Sequence, residues 1–196
     1  MQDCWYADNR DLIKWGVLFR LAESYDAPRI LQLAYYRPSS FDQLIIDDES
    51  HEIPEEVIAH FRNLRTIERI DSEVRVTVFD LVFKDRPTYL QEVLTALPIF
   101  SQERCIVFLD PDTGLESTRP SLDHVLNNEA GAIWNDMKIG DVFVFYQHQT
   151  NRSGQSWIEP KRNQLADALN VDTGEIRMAN APKITKDVVF FFTQKT

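Results

Sequence analysis

The chain has 196 residues, with 21 Lys and Arg against 31 Asp and Glu, a net charge of -10, and 43% hydrophobic residues. We expect one domain over residues 1–196 with a substantial core. The negative charge disfavours non-specific nucleic-acid binding, which depends on neutralising phosphates, and no apolar run approaches the roughly 20 residues of a membrane-spanning helix. Two cysteines and the lack of a charged-then-apolar leader favour a cytoplasmic protein without a disulfide framework.

The first half of the chain alternates helix and strand patterns. Apolar residues recur at helical spacing after Asp8 or Asn9, either of which can cap the helix. RILQLAYY has the composition of a buried strand, whereas VRVTVF alternates and is rich in β-branched residues. The predicted elements are helices over about 9–24, 54–65 and 87–98, the last ended by Pro98, strands over 29–36, 41–46 and 74–79, and a solvated acidic loop over 42–56.

The second half contains two uninterrupted apolar runs. CIVFL at 105–109 and VFVFY at 142–146 have no polar face, which is typical of central parallel strands covered on both sides. We therefore expect 105–109 and 142–145 to be adjacent and parallel. The remaining predicted elements are helices in the second half of 122–137 and over 155–169, and strands over 175–179 and 188–193 that pair antiparallel.

This order of elements predicts an α/β domain with a mainly parallel sheet, helices on both faces and an antiparallel C-terminal strand pair. Ligands of open α/β sheets bind at the carboxyl ends of the strands, and both apolar runs end there in polar residues. We predict a shared solvent-accessible crevice at this edge. The predicted site residues are Asp110, Asp112 and His148 as catalytic groups, and Asp11, Lys14, Glu116, Tyr146 and Arg152 as substrate- or cofactor-binding groups.

The order of elements also resembles the methyltransferase-like variant of the Rossmann fold. DPDTGL at 110–115 resembles the acidic-Pro-Pro-aromatic motif of amino-methyltransferases of nucleic acids, and ADNRDLIKW at 7–15 resembles the opening of ribosomal RNA adenine-N6 methyltransferases. The resemblance implies S-adenosylmethionine as cofactor, a nucleic acid or small molecule as substrate, and Asp110 as the group that holds the target amine. It also implies that residues after the opening helix bind cofactor and substrate.

The chain departs from that family at three points. Asp112 replaces the second proline of the motif, and Thr113 replaces the aromatic residue that would stack on a flipped base. A cofactor pocket of this type usually needs a glycine-rich turn after the first strand, but RILQLAYY runs into Arg37 and Pro38 without a glycine. Either the cofactor binds differently or it is absent.

Two alternative functions follow from the same residues. Asp110, Asp112 and Glu116 could hold Mg²⁺ or Mn²⁺ for a phosphoesterase or nuclease, with His148 as base. The other alternative is a non-catalytic binding protein that kept this sheet and lost the cofactor. Asp110 and Asp112 can also be explained as caps of turns or helices, and His148 as a hydrogen-bonded structural residue. Lys14 and Arg10, one turn apart on the first helix, are either an exposed pair or a basic lip for phosphate or carboxylate.

Overall fold

A computed structural model describes residues 9–38, 43–70, 73–100, 102–149 and 156–196. The helices are α1 Asn9–Ser24, α2 Glu55–Phe61, α3 Arg86–Phe100, α4 Asn127–Asp136 and α5 Ile158–Leu169, and the 3-10 helices are Leu64–Arg69 and Thr173–Glu175. The strands are β1 Arg29–Leu33, β2 Gln43–Ile46, β3 Glu49–Glu52, β4 Arg75–Phe79, β5 Cys105–Leu109, β6 Gly114–Leu115, β7 His124–Val125, β8 Val142–His148, β9 Arg177–Ala179 and β10 Val188–Gln194.

Six of these strands form one mixed sheet in the order β4-β1-β5-β8-β10-β9. The first four are parallel to one another, and β10 runs antiparallel to both β8 and β9. The predicted α/β class with a mainly parallel sheet and an antiparallel C-terminal pair is therefore confirmed. The register Ile106↔Val142 also confirms that β5 and β8 are adjacent, parallel and central.

Helices cover both faces of the sheet, as predicted. On one face α1 packs through Leu18 against Ile106 and Val144, and on the other α5 packs through Leu165 into the core of Val107 and its neighbours. Each fully buried Leu, Ile or Val contributes roughly 1.5–3 kcal/mol through removal of apolar surface from water. Because side chains alternate along a strand, the residue that follows β5 on the Ile106 side points toward α1.

The buried stripe of α1 is apolar for most of its length and polar at its amino end. Leu18 and Leu21 pack on the sheet, and Asp11 and Lys14 continue the same stripe at helical spacing. The last apolar turns of α1 therefore secure it to the core, and its first turns carry two charged groups toward the carboxyl ends of the strands.

The sequence suggested a solvated loop over residues 42–56, but the described part of this acidic segment contains a hairpin. β2 pairs antiparallel with β3, and the connecting Asp47 and Asp48 have φ values of 51° and 65°. Two successive left-handed residues are the requirement of a type I′ turn, whose twist matches that of the flanking strands. The acidic side chains do remain exposed.

Several predicted boundaries also differ from the structure; α2, for example, ends at Phe61 instead of about residue 65. α3 continues through Pro98 to Phe100, although proline has no N–H to donate to the carbonyl of residue 94; only two helical residues follow it. β1 ends at Leu33, three residues earlier than expected, and β9 begins only at Arg177, after the 3-10 turn. Among the described helices, none combines the length and apolar character needed to cross a membrane.

Candidate functional site

The strand order creates a crevice between β1 and β5. The chain leaves β1 for β4 on one side of it and then returns to β5 on the other, so the carboxyl ends of β1 and β5 flank the point where the direction of winding reverses. This is where ligands bind in open α/β sheets. Asp110 lies here directly after β5, and its backbone N–H donates to the carbonyl of Leu33 (3.0 Å).

A buried polar cluster, formed by Asp11, Lys14, Gln32 and Asp110, fills this crevice. Lys14 Nζ lies 2.8 Å from Asp110 Oδ2 and 2.6 Å from Asp11 Oδ1. Gln32 Nε2 donates to the same Asp110 oxygen at 2.6 Å. The residues are only 2–6% exposed, so α1 covers them and they do not line an open crevice.

The cluster holds its charges in a place where water cannot solvate them. Burial alone would lower the pKa of Lys14, but the carboxylates of Asp110 and Asp11 raise the pKa of this ammonium above its usual value. Burial raises the pKa of Asp110, and the charge and hydrogen bond of Lys14 oppose that rise. One ammonium between two carboxylates leaves the cluster with a formal charge of about -1 when all are ionised.

Asp187, directly before β10, forms a second polar centre on the same face of the sheet. Its Oδ2 accepts from Arg10 Nη2 at 2.7 Å and lies 3.0 Å from His148 Nε2, and its Oδ1 accepts from the hydroxyl of Thr185. Burial favours the neutral acid, but the hydrogen bonds from Thr185 and Arg10 and the charge of Arg10 hold the pKa of Asp187 well below its usual range. Asp187 therefore ties the first turn of α1 to β8.

Tyr146 lies between the two centres. Its ring packs within the core on the α1 side, and Lys14 Nζ lies 5.8 Å from the ring centroid. Burial raises the pKa of the Tyr146 phenol, with a smaller and opposite effect of the Lys14 charge. Asp110, Lys14, Asp11, Tyr146 and His148 are thus brought to one face of the sheet, at the carboxyl ends of its strands.

Two other predicted site residues have partners elsewhere. Asp112 forms an ion pair with Arg37, which follows β1 and also pairs with Asp123. The Asp112 carboxylate therefore contacts the loop after β1. The Glu116 carbonyl accepts from Lys161 Nζ at 2.7 Å, which places this residue beside α5, on the opposite side of the sheet. Arg152 lies outside the described residues. Within the described ranges, no group of three or more His, Cys, Asp or Glu side chains is arranged to hold a metal ion.

The turn after β1 is made without glycine. Tyr35 has a φ of 46°, a conformation that non-glycine residues seldom adopt, and its N–H donates to Tyr89 Oη at 3.0 Å. Its ring is 2% exposed and packs against Phe83 and Tyr89, with centroids 5.2 and 4.8 Å away. The loops after β1 and β4 are also joined, since the Phe83 N–H donates to the carbonyl of Tyr36 (2.7 Å).

An open groove of about 670 Å³ lies at the other end of the sheet. It is lined by the end of α1 and by residues before β1 and β4, including Phe19, Pro28 and Val74. The amino ends of parallel strands are not where ligands of such sheets bind. The polar clusters, rather than this groove, therefore define the candidate site.

Sequence reasoning missed Gln32 and Asp187. Gln32 is a single polar residue inside the apolar strand RILQL, and a buried amide needs a hydrogen-bond partner, so the pattern did contain a signal. Asp187 follows a lysine in a polar loop, and nothing in its local sequence distinguishes it from a solvated residue. No family model, curated protein or solved structure matches the chain.

Proposed function

We propose that this chain is a methyltransferase-like protein that binds S-adenosylmethionine at the carboxyl ends of β4, β1 and β5 and acts on an amine of a nucleic acid or small molecule. The observation that carries the proposal is the strand order β4-β1-β5-β8-β10-β9 with a reversed β10, together with Asp110 directly after β5 at the winding reversal. Methyltransferase-like folds have such an antiparallel C-terminal pair, and in this proposal Asp110 would correspond to the acidic residue of their motif. Because one fold supports many chemistries, the proposal depends on the site residues.

The residues around β1 fit such a cofactor. Tyr35 supplies the left-handed turn that glycine usually supplies, and its ring points into the core rather than over the strand ends. Asp80 follows β4 directly and its side chain is 41% exposed, so its carboxylate can accept hydrogen bonds from ribose hydroxyls, as acidic residues do in related nucleotide sites. A left-handed turn made by Tyr35 therefore supports the proposed cofactor site despite the missing glycine.

When bound, the cofactor would supply an electrophilic methyl group, and the chain would have to bind and orient the acceptor. In this role Asp110 accepts a hydrogen bond from the acceptor amine. Lys14 Nζ and Gln32 Nε2 both already donate to Asp110 Oδ2. An acceptor amine would bind at a remaining acceptor position of this carboxylate, which has two oxygens, or would replace the ammonium of Lys14, which can stay paired with Asp11.

The contact between Lys14 and Asp110 favours a second candidate function, that of a binding protein without catalysis. With Lys14 in place, Asp110 is 2% exposed and serves as a tie between α1 and the sheet. A metal-dependent hydrolase has less support, because Asp112 and Glu116 contact residues other than Asp110 and its neighbours in the polar cluster.

Binding and transfer measurements separate these functions. Titration calorimetry and thermal shift with S-adenosylmethionine test the cofactor, since a ligand at 100 times its dissociation constant stabilises by roughly 2.7 kcal/mol. We expect Asp80→Asn to weaken binding and the exposed control Asp167→Asn to leave it unchanged. Radiolabelled methyl transfer to RNA, DNA or a metabolite extract should be lost in Asp110→Asn while the cofactor still binds.

The alternatives have their own signatures in these assays. Stabilisation by Mg²⁺ or Mn²⁺ alone would favour the hydrolase. No response to either the cofactor or the metals would favour the binding protein, and cofactor binding that Asp80→Asn leaves intact would contradict the proposed arrangement.

A further inference from the structure

The β2–β3 hairpin stands apart from the six-stranded sheet. β2 and β3 form a sheet of their own, and in the described residues neither pairs with another strand. Every residue of both strands is exposed. An isolated two-stranded hairpin is marginally stable in water, and further strands or a packed face are what stabilise it.

This hairpin exposes apolar side chains on both of its faces. Ile45, Ile46 and Leu44 are 70%, 53% and 44% exposed. The register pairs Leu44 with His51 and Ile45 with Ser50, so Leu44 and Ile46 share one face and Ile45 lies on the other. Leu44 and Ile46 therefore present two neighbouring apolar side chains on one face, which a partner chain could cover.

The charge of the surrounding segment decides the kind of partner. No Lys or Arg occurs from residue 43 to residue 61, and the acidic residues there are Asp47, Asp48, Glu49, Glu52, Glu55 and Glu56. All six are exposed. A second copy of this chain would bring the same negative charges face to face, and a nucleic acid would be repelled by them. A basic surface is complementary.

We propose that the hairpin, with the first turn of α2, is a docking site for an extended basic segment of another protein. The segment adds a strand to the hairpin, its backbone pairs with an open strand edge, and alternate Lys or Arg side chains face the acidic residues. Its apolar side chains cover Ile45 or the face of Leu44 and Ile46. This site is independent of the proposed cofactor site.

The test uses the full chain and a defined probe, a capped octapeptide of alternating Lys and Val. We expect the peptide to shift the amide NMR signals of residues 43–56, and its affinity to fall as salt is raised, because exposed charges are screened. Asp47→Asn with Asp48→Asn should weaken binding about three- to tenfold while keeping the turn, since Asn also tolerates positive φ. Ile45→Ser should weaken binding as well, and Asp136→Asn with Asp167→Asn serves as the matched control.

Four results would overturn the proposal. One is equal binding of the matched Glu-Val octapeptide, and another is a set of shifted signals that lies away from the hairpin. A third is a concentration-dependent dimer in sedimentation that Ile45→Ser dissociates, which would assign this face to a second copy. The fourth is a single-stranded oligonucleotide that shifts the hairpin signals.

Discussion

Lys14 Nζ and Asp110 Oδ2 lie 2.8 Å apart and join helix α1 to the end of strand β5, with both side chains buried. The ammonium is shared with Asp11, at 2.6 Å. Three ionisable groups in a space closed to water make the stability of the fold depend on their charge balance, because an unpaired buried charge is far more costly than a paired one. Loss of the Lys14 charge and loss of the Asp110 charge should therefore change the stability by different amounts.

We expect Lys14→Met to destabilise the protein much more than Asp110→Asn. Lys14→Met removes the ammonium that two buried carboxylates, Asp11 and Asp110, share, and breaking a buried ion pair from one side typically costs about 3–5 kcal/mol. Asp110→Asn leaves Lys14 paired with Asp11 and keeps an oxygen that can accept, so about 1 kcal/mol is expected. Urea unfolding at pH 7 measures both free energies.

The exposed control Lys183→Met should change the free energy of unfolding by less than about 0.5 kcal/mol. Combining Lys14→Met with Asp110→Asn should restore part of the stability lost in Lys14→Met alone, since one of the two carboxylate charges that Lys14 compensates is then gone. Simple additivity of the two losses would show that the pair is not coupled.

The pH dependence of stability should show the contribution of Asp187. Its pKa is held below the usual value when folded, so it contributes stability above its unfolded pKa of about 3.9, which is lost as pH falls through the folded value. Asp187→Asn should therefore destabilise the protein at pH 7. The difference from the wild type should narrow steadily below about pH 4, as followed by urea unfolding at several pH values.

A constant difference across this range would mean that Asp187 acts through shape rather than charge. Asp136→Asn provides the comparison for loss of one carboxylate, because Asp136 is exposed at the end of α4. The free energy of unfolding of Asp136→Asn should differ little from that of the wild type, both at pH 7 and below about pH 4.

The sheet was predictable because its central strands are uninterrupted apolar runs. β5 and β8 have no polar face, and such runs have few places in a fold other than between two helical layers. The hairpin could not be predicted, because Asp47 and Asp48 occur in a cluster of acidic residues that is equally typical of a solvated loop. Only the positive φ at both residues reveals the turn.

The candidate site was predictable in position but not in its contacts. Strand ends located Asp110 and His148 on one edge, whereas Lys14, one of the two donors to Asp110, is 96 residues away in sequence, on α1. Asp11 and Lys14 lie on the same buried stripe of α1 as Leu18, so the expectation of Lys14 as an exposed residue was wrong. Which strand lies below that stripe depends on the strand order, and no local pattern encodes it.

The left-handed turn after β1 supplies another test. The Tyr35 N–H donates to Tyr89 Oη at 3.0 Å, and both rings are buried. Tyr89→Phe should cost about 1–3 kcal/mol, because a buried donor is left unsatisfied. Tyr25→Phe removes a hydroxyl that accepts from Arg177 on an exposed surface, and it should cost less than about 0.5 kcal/mol in the same unfolding assay.

Two glycines should respond in opposite directions to alanine. Gly114 begins β6 with a φ of 132°, and a Cβ at this position would collide with the side chain of Gln147. Gln147 is fully buried and its Oε1 accepts from the Leu115 N–H at 2.9 Å, so it has little room to move. Gly114→Ala should therefore destabilise by more than about 2 kcal/mol.

Gly16 is the matched position, in the middle of α1 on its exposed side. A Cβ there would meet no atom within 4 Å. Gly16→Ala should stabilise the protein by about 0.5–1 kcal/mol, because alanine loses less conformational entropy than glycine when the helix forms. Thermal and urea unfolding measure both variants. A Gly114→Ala variant as stable as the wild type would contradict this, because it would mean that the Gln147 side chain can move away from β6. The loop after Asp110 would then be less firmly attached to β8 than the hydrogen bond from Leu115 to Gln147 indicates.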